Sequence, residues 1–234
     1  MDVFKNLVVK TRSKYPGYRF SWEIYTEIIL EKIAEKPYWL DIGAGSNIWI
    51  KEQPGAEFSV GLDIEKNAGL FIDNNTGAYV MATSENLPFK ECSFNFITSR
   101  YTFEHLKIPE ITLNEIHRVL KPGGTFMMQT TNRKNPAIFF ARLIPFGIKK
   151  IIYKKIFKNI PSGTFKTFYR INTPEAIARQ SGYLNLQKLI LVEDLLCQSR
   201  FLYYASLSLF KIINKFQLDS IKNNIIAIYK KPGN

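Results

Sequence analysis

The sequence predicts an α/β fold in which helices cover both faces of a parallel sheet. Five short apolar runs are predicted as buried strands, at residues 38–42, 58–62, 78–82, 94–99 and 125–130. Helical or loop segments separate them, and this alternation is typical of a doubly wound sheet. Two further strands are predicted at 184–192 and 224–230. A chain of 234 residues suits one domain with one core.

Helices are predicted from apolar periodicity and from their end signals. Residues 20–35 place apolar side chains at helical spacing, with glutamates on the opposite face, and Pro37 ends this helix. Residues 173–182 open with a threonine N-cap followed by proline, and close with glycine. The Lys-Pro-Gly-Gly run at 121–124 predicts a helix stop and a turn before the fifth strand. Other helices are predicted after Gly45, Glu65 and Pro109.

The cysteines and the N-terminus predict a cytoplasmic location. Cys92 and Cys197 have no metal-ligand spacing, so we expect reduced thiols and no metal site. The first residues lack the apolar core and cleavage site of a signal peptide. No run of 18 apolar residues is present to span a membrane, and we expect residues 201–213 to form a core helix.

The net charge of +12 is unevenly distributed along the chain. Residues 1–115 carry 12 Lys/Arg and 16 Asp/Glu, whereas residues 116–234 carry 20 and 4. Residues 133–170 hold ten basic side chains and no acidic one. A basic face of this kind can meet nucleic acid, an anionic membrane or an anionic substrate. It can also be a solvated surface without a partner.

Residues 148–157 predict a basic amphipathic helix with paired lysines. One interpretation places this helix in the interface of an anionic membrane, with neighbouring aromatic side chains at the same depth. The protein would then be peripheral at the cytoplasmic face of the membrane. The other interpretation is a lid helix that packs its apolar side on the domain and leaves the lysines in water. The sequence leaves both open.

A glycine turn follows the first predicted strand. The strand ends in Asp41, and Gly43 and Gly45 follow where the backbone can approach a ligand in the crevice of the sheet. A third glycine and a Gly-Lys-Ser/Thr sequence are both missing, so dinucleotide and phosphate-loop sites fit poorly. Asp63 ends the second strand, where an acid can bind both ribose hydroxyls. The pattern predicts an adenosine ligand without a pyrophosphate.

These motifs resemble the class I S-adenosylmethionine (SAM)-dependent methyltransferases, in particular methyltransferase type 11. The resemblance spans about residues 38–132 and implies a Rossmann-like seven-stranded sheet that binds SAM. It assigns the cofactor contacts to Asp41, Gly43, Gly45, Asp63, Thr83 and Ser84. The chain departs from the family pattern at Thr83, where an aspartate usually holds the adenine amine, and at Asn47, which replaces the third glycine. The other matching segments are 84–89, 93–106 and 115–124.

The resemblance divides the single methyltransferase domain, residues 1–234, into four parts. These are an N-terminal helical segment, the SAM-binding core, a basic lid inserted after the fifth strand, and the C-terminal part of the sheet, at residues 1–36, 37–132, 133–170 and 171–234. Three segments within the basic lid or across its two ends resemble members associated with polysaccharide and lipid biosynthesis: 130–133, 141–145 and 169–173.

The implied reaction transfers a methyl group in line to an aligned acceptor. We expect the acceptor to be a small molecule or a lipid- or glycan-linked group methylated at oxygen or carbon, which requires proton removal. His105 lies just past the fourth strand and is the candidate base. The alternative is that His105 and Glu104 cap a helix or organise the pocket. His117 is expected to be a surface or packing residue.

Two other functions remain open. The basic C-terminal half suggests an RNA or DNA methyltransferase. Against this, residues 99–104 lack the Asn/Asp-Pro-Pro-aromatic element of base-amino methyltransferases, and no Pro-Cys pair supplies a nucleophile for pyrimidines. The other is a SAM-binding protein without catalysis, which the uncharged Thr83 slightly favours.

Overall fold

The computed structural model describes residues 3–45, 50, 55–65, 77–144, 147–148, 165–180 and 184–233. Within these residues, seven strands form one sheet in the order β3-β2-β1-β4-β5-β7-β6. The strands are β1 Tyr38–Ile42, β2 Phe58–Asp63, β3 Gly77–Met81, β4 Phe94–Arg100, β5 Leu120–Thr131, β6 Asn185–Val192 and β7 Asn224–Lys230. All seven predicted strands are confirmed to within a few residues, except that β5 begins earlier.

The pairing makes the sheet mixed. Strand β1 pairs in parallel with β2 and with β4, β2 pairs in parallel with β3, and β4 with β5. Strand β7 runs antiparallel to β5, because Gly123 N near the start of β5 donates to Lys231 O (3.0 Å) and Asn132 N after its end donates to Asn223 O (2.8 Å). The chain leaves β1 toward β2 on one side and later returns as β4 on the other. This reversal opens a crevice at the carboxyl end of β1, where ligands bind in such sheets.

The helices agree with the predicted ones where both can be compared. Their bounds are α1 Val3–Lys14, α2 Ser21–Ile33, α3 Pro109–Val119, α4 Pro136–Leu143, α5 Pro174–Arg179 and α6 Arg200–Lys215. Thr173 caps α5 as predicted, since its Oγ1 accepts a hydrogen bond from Ala176 N (3.1 Å). The predicted helices after Gly45 and Glu65, and most of residues 148–157, lie outside the described residues.

Two expectations from local sequence were wrong in part, although the predicted helix stop is confirmed by the end of α3 at Val119. The Lys-Pro-Gly-Gly run lies inside β5 rather than in a turn before it, because Lys231 N donates to Gly124 O (3.0 Å) and extends the ladder. Phe94 pairs with Leu120 but Phe96 with Thr125, so the extra residues form a bulge. Helix α6 is not a core helix throughout, since Phe201 is 80% exposed. In the described part of the chain, no helix is long and apolar enough to cross a membrane.

The chain divides into two compact units. The first, called here the helical unit, comprises Met1–Ile24, Asn132–Thr164 and Leu191–Asn224. The second, called the sheet unit, comprises Tyr25–Thr131, Phe165–Ile190 and Ile225–Asn234. The sheet unit buries Trp39, Phe96, Phe126 and Tyr229 between its strands and helices, and the helical unit buries Leu7, Phe20, Cys197 and Tyr203. Cys92 and Cys197 are both free thiols, as predicted. The single-domain assignment stays a prediction.

Candidate active site

The glycine turn lies at the carboxyl ends of β1 and β2. Gly43 N and Ala44 N both donate to Leu62 O, at 2.8 and 3.0 Å, and hold the turn beside the end of β2. Asp63 completes the connection, because its Oδ2 accepts from Gly45 N at 2.9 Å and its Oδ1 from Glu65 N at 3.0 Å. The two sequence motifs therefore meet at one edge of the sheet, as the topology requires.

The two glycines of the turn have different surroundings. Both have positive φ, +72° at Gly43 and +52° at Gly45. A Cβ on Gly43 would lie 2.0 Å from Thr102 Oγ1, so the loop after β4 excludes any side chain there. A Cβ on Gly45 would meet no atom within 4 Å among the residues that the structure describes. Gly43 thus serves close packing within the protein, whereas the space beside Gly45 can hold a ligand.

We predict opposite sensitivities for these glycines. Gly43→Ala should destabilise the protein by about 3–5 kcal/mol, because backbone strain adds to a clash with Thr102. Gly45→Ala should cost only about 1–2 kcal/mol of strain, yet weaken SAM binding. Urea unfolding and SAM titration measure the two effects. Thr102→Gly should recover part of the stability lost in Gly43→Ala, and the absence of such recovery in a double-mutant cycle would contradict the clash.

Asp41 is buried directly below the turn. Its Oδ1 accepts from Thr98 Oγ1 at 2.6 Å, and Thr98 Oγ1 in turn accepts from Trp39 Nε1 at 2.8 Å. Burial raises the pKa of Asp41 to about 7 despite the bond from Thr98. A cation placed beside this carboxyl would favour its ionised form. The chemistry of Asp41 therefore fits a ligand that carries positive charge, and Thr98 was not identified from sequence although it interrupts an apolar strand.

Thr83 and Ser84 follow β3 but use their side chains within the protein. The exposed Thr83 caps a turn, since its Oγ1 accepts from Glu85 N at 3.2 Å and its carbonyl from Asn86 N at 3.3 Å. Ser84 is buried, and its Oγ lies 3.0 Å from Thr112 Oγ1 on α3. A ligand at this position would therefore meet the backbone of Ser84 more readily than its hydroxyl.

His105 ends a 3₁₀ turn, Phe103–His105, after β4. Its Nδ1 lies 3.2 Å from Lys166 O, and because a carbonyl only accepts, Nδ1 must carry the hydrogen. The neutral ring then has its lone pair on Nε2. Burial lowers the pKa of His105, so this neutral form predominates at neutral pH. The arrangement prepares His105 to accept a proton at Nε2.

Glu104 organises the segment beside His105. Its carboxylate accepts from Thr130 Oγ1 at 2.8 Å, and Asn172 Nδ2 donates to the same Thr130 oxygen. Its backbone oxygen accepts from Phe168 N at 2.7 Å. Burial raises the pKa of Glu104 to about 7. The sequence predicted that Glu104 either caps a helix or organises the pocket, and no local pattern marked Thr130 or Asn172 as its partners.

His117 and the polar residues around the end of β4 make their contacts within the protein. His117 is half-buried on α3, as expected for a packing residue, and its carbonyl accepts from Lys231 Nζ at 2.7 Å. Arg100 Nε donates to Gln129 Oε1 at 3.0 Å, and Gln129 Nε2 donates to Tyr101 OH at 2.9 Å. Among the residues that the structure describes, no cluster of His, Cys, Asp and Glu could hold a metal ion.

Comparison with known proteins decides the family. Residues 40–128 match the family model described as a methyltransferase domain. An uncharacterized protein of Methanocaldococcus jannaschii is 31% identical over 196 residues, which cover 83% of this chain and 73% of that protein. The chain belongs to the class I SAM-dependent methyltransferases. This methyltransferase also shares its fold with a SAM-dependent methyltransferase of Methanosarcina mazei, with a TM-score of 0.57 at 16% identity, covering 88% of this chain and 98% of the other.

A more distant relative has a named activity. The ubiquinone/menaquinone biosynthesis C-methyltransferase UbiE of Neisseria gonorrhoeae is 28% identical over 87 residues, which cover 37% of this chain and 34% of that protein. The similarity is therefore confined to about a third of UbiE. As a member of this SAM-dependent family, the methyltransferase uses SAM as its cofactor. The open space at Gly45 and the carboxylates of Asp41 and Asp63 fit this ligand, which carries a sulfonium, an ammonium and ribose hydroxyls.

Proposed function

We propose that this methyltransferase methylates an oxygen or carbon atom of a small-molecule, lipid-linked or glycan-linked acceptor. The observation that carries the proposal is the tautomer of His105, whose Nδ1 donates to Lys166 O and whose Nε2 is left as a base. Transfer to oxygen or carbon requires proton removal, and histidine is the commonest group for that task. Bound SAM supplies an electrophilic methyl group.

In the proposed reaction, proton removal accompanies bond formation at the acceptor. His105 Nε2 would accept the O–H or C–H proton of the acceptor, while bound SAM would supply the methyl group and leave as S-adenosylhomocysteine. The backbone oxygen of Glu104 accepts a hydrogen bond from Phe168, and its carboxylate is linked to Asn172 through Thr130. These contacts hold the backbone around Lys166 in place, so that Lys166 O keeps the imidazole of His105 oriented. The protein contributes the alignment of donor and acceptor and the removal of the proton, because the methyl group of SAM is already activated.

The donor is proposed to lie along the edge formed by the glycine turn and β2. Asp63 would bind the ribose hydroxyls with the carboxylate that already orders Gly45. Asp41 would favour the cationic part of SAM. The backbone of Ser84 would face the adenine edge, with the hydroxyl of Thr83 replacing the usual carboxylate. The space beside Gly45 supports this orientation, because no atom of the described residues lies within 4 Å of a Cβ placed on Gly45.

Two observations support a lipid- or glycan-linked acceptor. Residues 130–133 and 169–173 belong to the segments that resemble polysaccharide- and lipid-associated members, and they contribute Thr130 and Asn172 to the network of Glu104. The relative UbiE is named for ubiquinone and menaquinone biosynthesis.

Both cysteines are free thiols, which suits the proposed cytoplasmic location.

The test incubates the protein with methyl-labelled SAM and separated lipid, glycan, RNA and aqueous small-molecule fractions from cells. We expect label in the lipid, glycan or small-molecule fraction, and none with heat-denatured protein. Label in RNA alone would overturn the proposal in favour of a nucleic-acid methyltransferase. No label in any fraction, with SAM binding shown by calorimetry, would instead indicate a binding protein without catalysis.

A further inference from the structure

The net charge of the chain lies entirely in one of the two compact units. The helical unit holds 17 Lys/Arg and 5 Asp/Glu, so it carries the whole net charge of +12. The sheet unit holds 15 of each sign and is neutral. The methyltransferase chemistry belongs to the neutral unit. The helical unit is therefore the part of the chain that attracts anions.

The helices of the helical unit combine basic and exposed apolar side chains. Helices α1, α4 and α6 contain eight Lys/Arg and no Asp or Glu, whereas α2 alone contains three glutamates. Of the twenty large apolar side chains exposed among the described residues, thirteen lie in the helical unit. Helix α4 buries none of its residues, and Phe140 and Leu143 are 65% and 67% exposed.

Helices α1 and α6 pack together and fix one such surface. Thr11 Oγ1 donates to Tyr203 OH at 3.2 Å in the interior, and Lys10 Nζ donates to the next residue, Tyr204 OH, at 2.8 Å on the outside. Lys10 Nζ also lies 5.2 Å from the centre of the Tyr204 ring. These contacts set the register of the two helices, with Tyr203 facing inward and Tyr204 facing outward.

Further positive charges surround Tyr204. The hydrogen bond from Lys10, and then the charges of Lys10, Arg200 and Lys14, lower the pKa of the Tyr204 phenol. Phe201 is 80% exposed and lies about one helical turn from Tyr204, and Ile212 is 50% exposed further along α6. We call Lys10, Lys14, Arg200, Phe201, Tyr204, Lys211, Ile212 and Lys215 the α1–α6 face. It mixes cations with aromatic and aliphatic side chains.

We propose that the α1–α6 face docks on a membrane that contains anionic phospholipids. Basic side chains attract the phosphate headgroups, and Phe201 and Tyr204 suit the depth just below them. The aliphatic Ile212 distinguishes this occupant from nucleic acid, because it cannot stack on bases as an aromatic ring can. None of the residues of the α1–α6 face belongs to the basic segment 148–157.

Vesicle co-sedimentation with the full chain tests the docking. We expect binding to phosphatidylcholine vesicles that contain phosphatidylglycerol, and little binding to pure phosphatidylcholine. Lys10→Gln/Lys14→Gln/Arg200→Gln should weaken the partition by about 100-fold, since each charge near such a surface contributes about fivefold. The matched control Lys90→Gln/Lys188→Gln/Lys230→Gln removes three exposed charges from the sheet unit and should change it little.

Phe201→Ser tests the apolar part of the same face. The side chain is 80% exposed, so the substitution should leave thermal unfolding unchanged while it weakens vesicle binding. No binding to anionic vesicles, equal losses in the two triple variants, or unchanged binding in Phe201→Ser would overturn the docking. So would tighter retention by RNA than by vesicles with the same dependence on Lys10, Lys14 and Arg200. The measurement uses neither SAM nor acceptor, so its failure leaves the proposed methyl transfer standing.

Discussion

His105→Asn is expected to lower kcat by about 100- to 10,000-fold with SAM affinity unchanged. Asparagine can keep the hydrogen bond to Lys166 O through its amide nitrogen, but it has no group that accepts a proton near neutral pH. The substitution therefore removes the proposed base and preserves the local contact. Single-turnover transfer to the acceptor found by the fraction experiment measures the loss.

The dependence of the rate on pH gives a second test of His105 as the base. Burial lowers the pKa of His105 below its usual 6.5, so the wild-type rate should rise with pH through a pKa under that value and then level off. The rise should disappear in His105→Asn. His105→Gln serves as a second variant that also lacks the base but cannot reproduce the Nδ1 contact. If His105→Asn stayed within a few-fold of wild type while His105→Gln did not, His105 would be a positioning residue.

Asp63→Ala is expected to weaken SAM binding by about 100-fold or more. Two charge-assisted hydrogen bonds to ribose are each worth about 1.5–3 kcal/mol, and the same carboxylate holds Gly45 N at 2.9 Å. Isothermal titration with SAM and with S-adenosylhomocysteine measures the change. Both ligands carry the ribose, so they should lose the same factor.

Asp63→Asn separates the two roles of this side chain. Its amide oxygen can still accept from Gly45 N, so the turn should remain ordered while the charge toward ribose is lost. We expect an intermediate affinity. Glu91→Ala is the control, because Glu91 is an exposed acidic residue that precedes β4, at the edge of the sheet opposite the glycine turn. Tight SAM binding by Asp63→Ala would mean that the ribose is bound elsewhere.

The pKa of Asp41 is a property that the sequence could not indicate. An aspartate after the first strand predicted a charged ligand contact, but its protonation depends on burial. The pKa of about 7 arises because burial disfavours the charged form, and the hydrogen bond from Thr98 and the charge of Arg100 only partly offset this effect. Such a shift requires the packed sheet, since Thr98 is 57 residues away along the chain.

The sequence by itself determined the strands, the helix ends and the glycine turn. These depend on local properties, namely runs of apolar side chains, the N-cap of Thr173 and the backbone freedom of Gly43 and Gly45. The order of the motifs then indicated the sheet and the SAM family. Local signals sufficed because neighbouring residues set backbone conformation.

Only the tertiary structure decided what each side chain contacts. Gly43 is required because Thr102 lies close to its Cα, and the hydroxyl of Ser84 contacts α3. The Lys-Pro-Gly-Gly run forms part of β5 because Gly124 pairs with Lys231. The tertiary structure also exposed half of α6, although its apolar composition predicted a core helix, and gathered the positive charge of three separate segments into one unit. The physical reason is that burial and partners depend on which distant segments pack together, and no window of sequence contains that information.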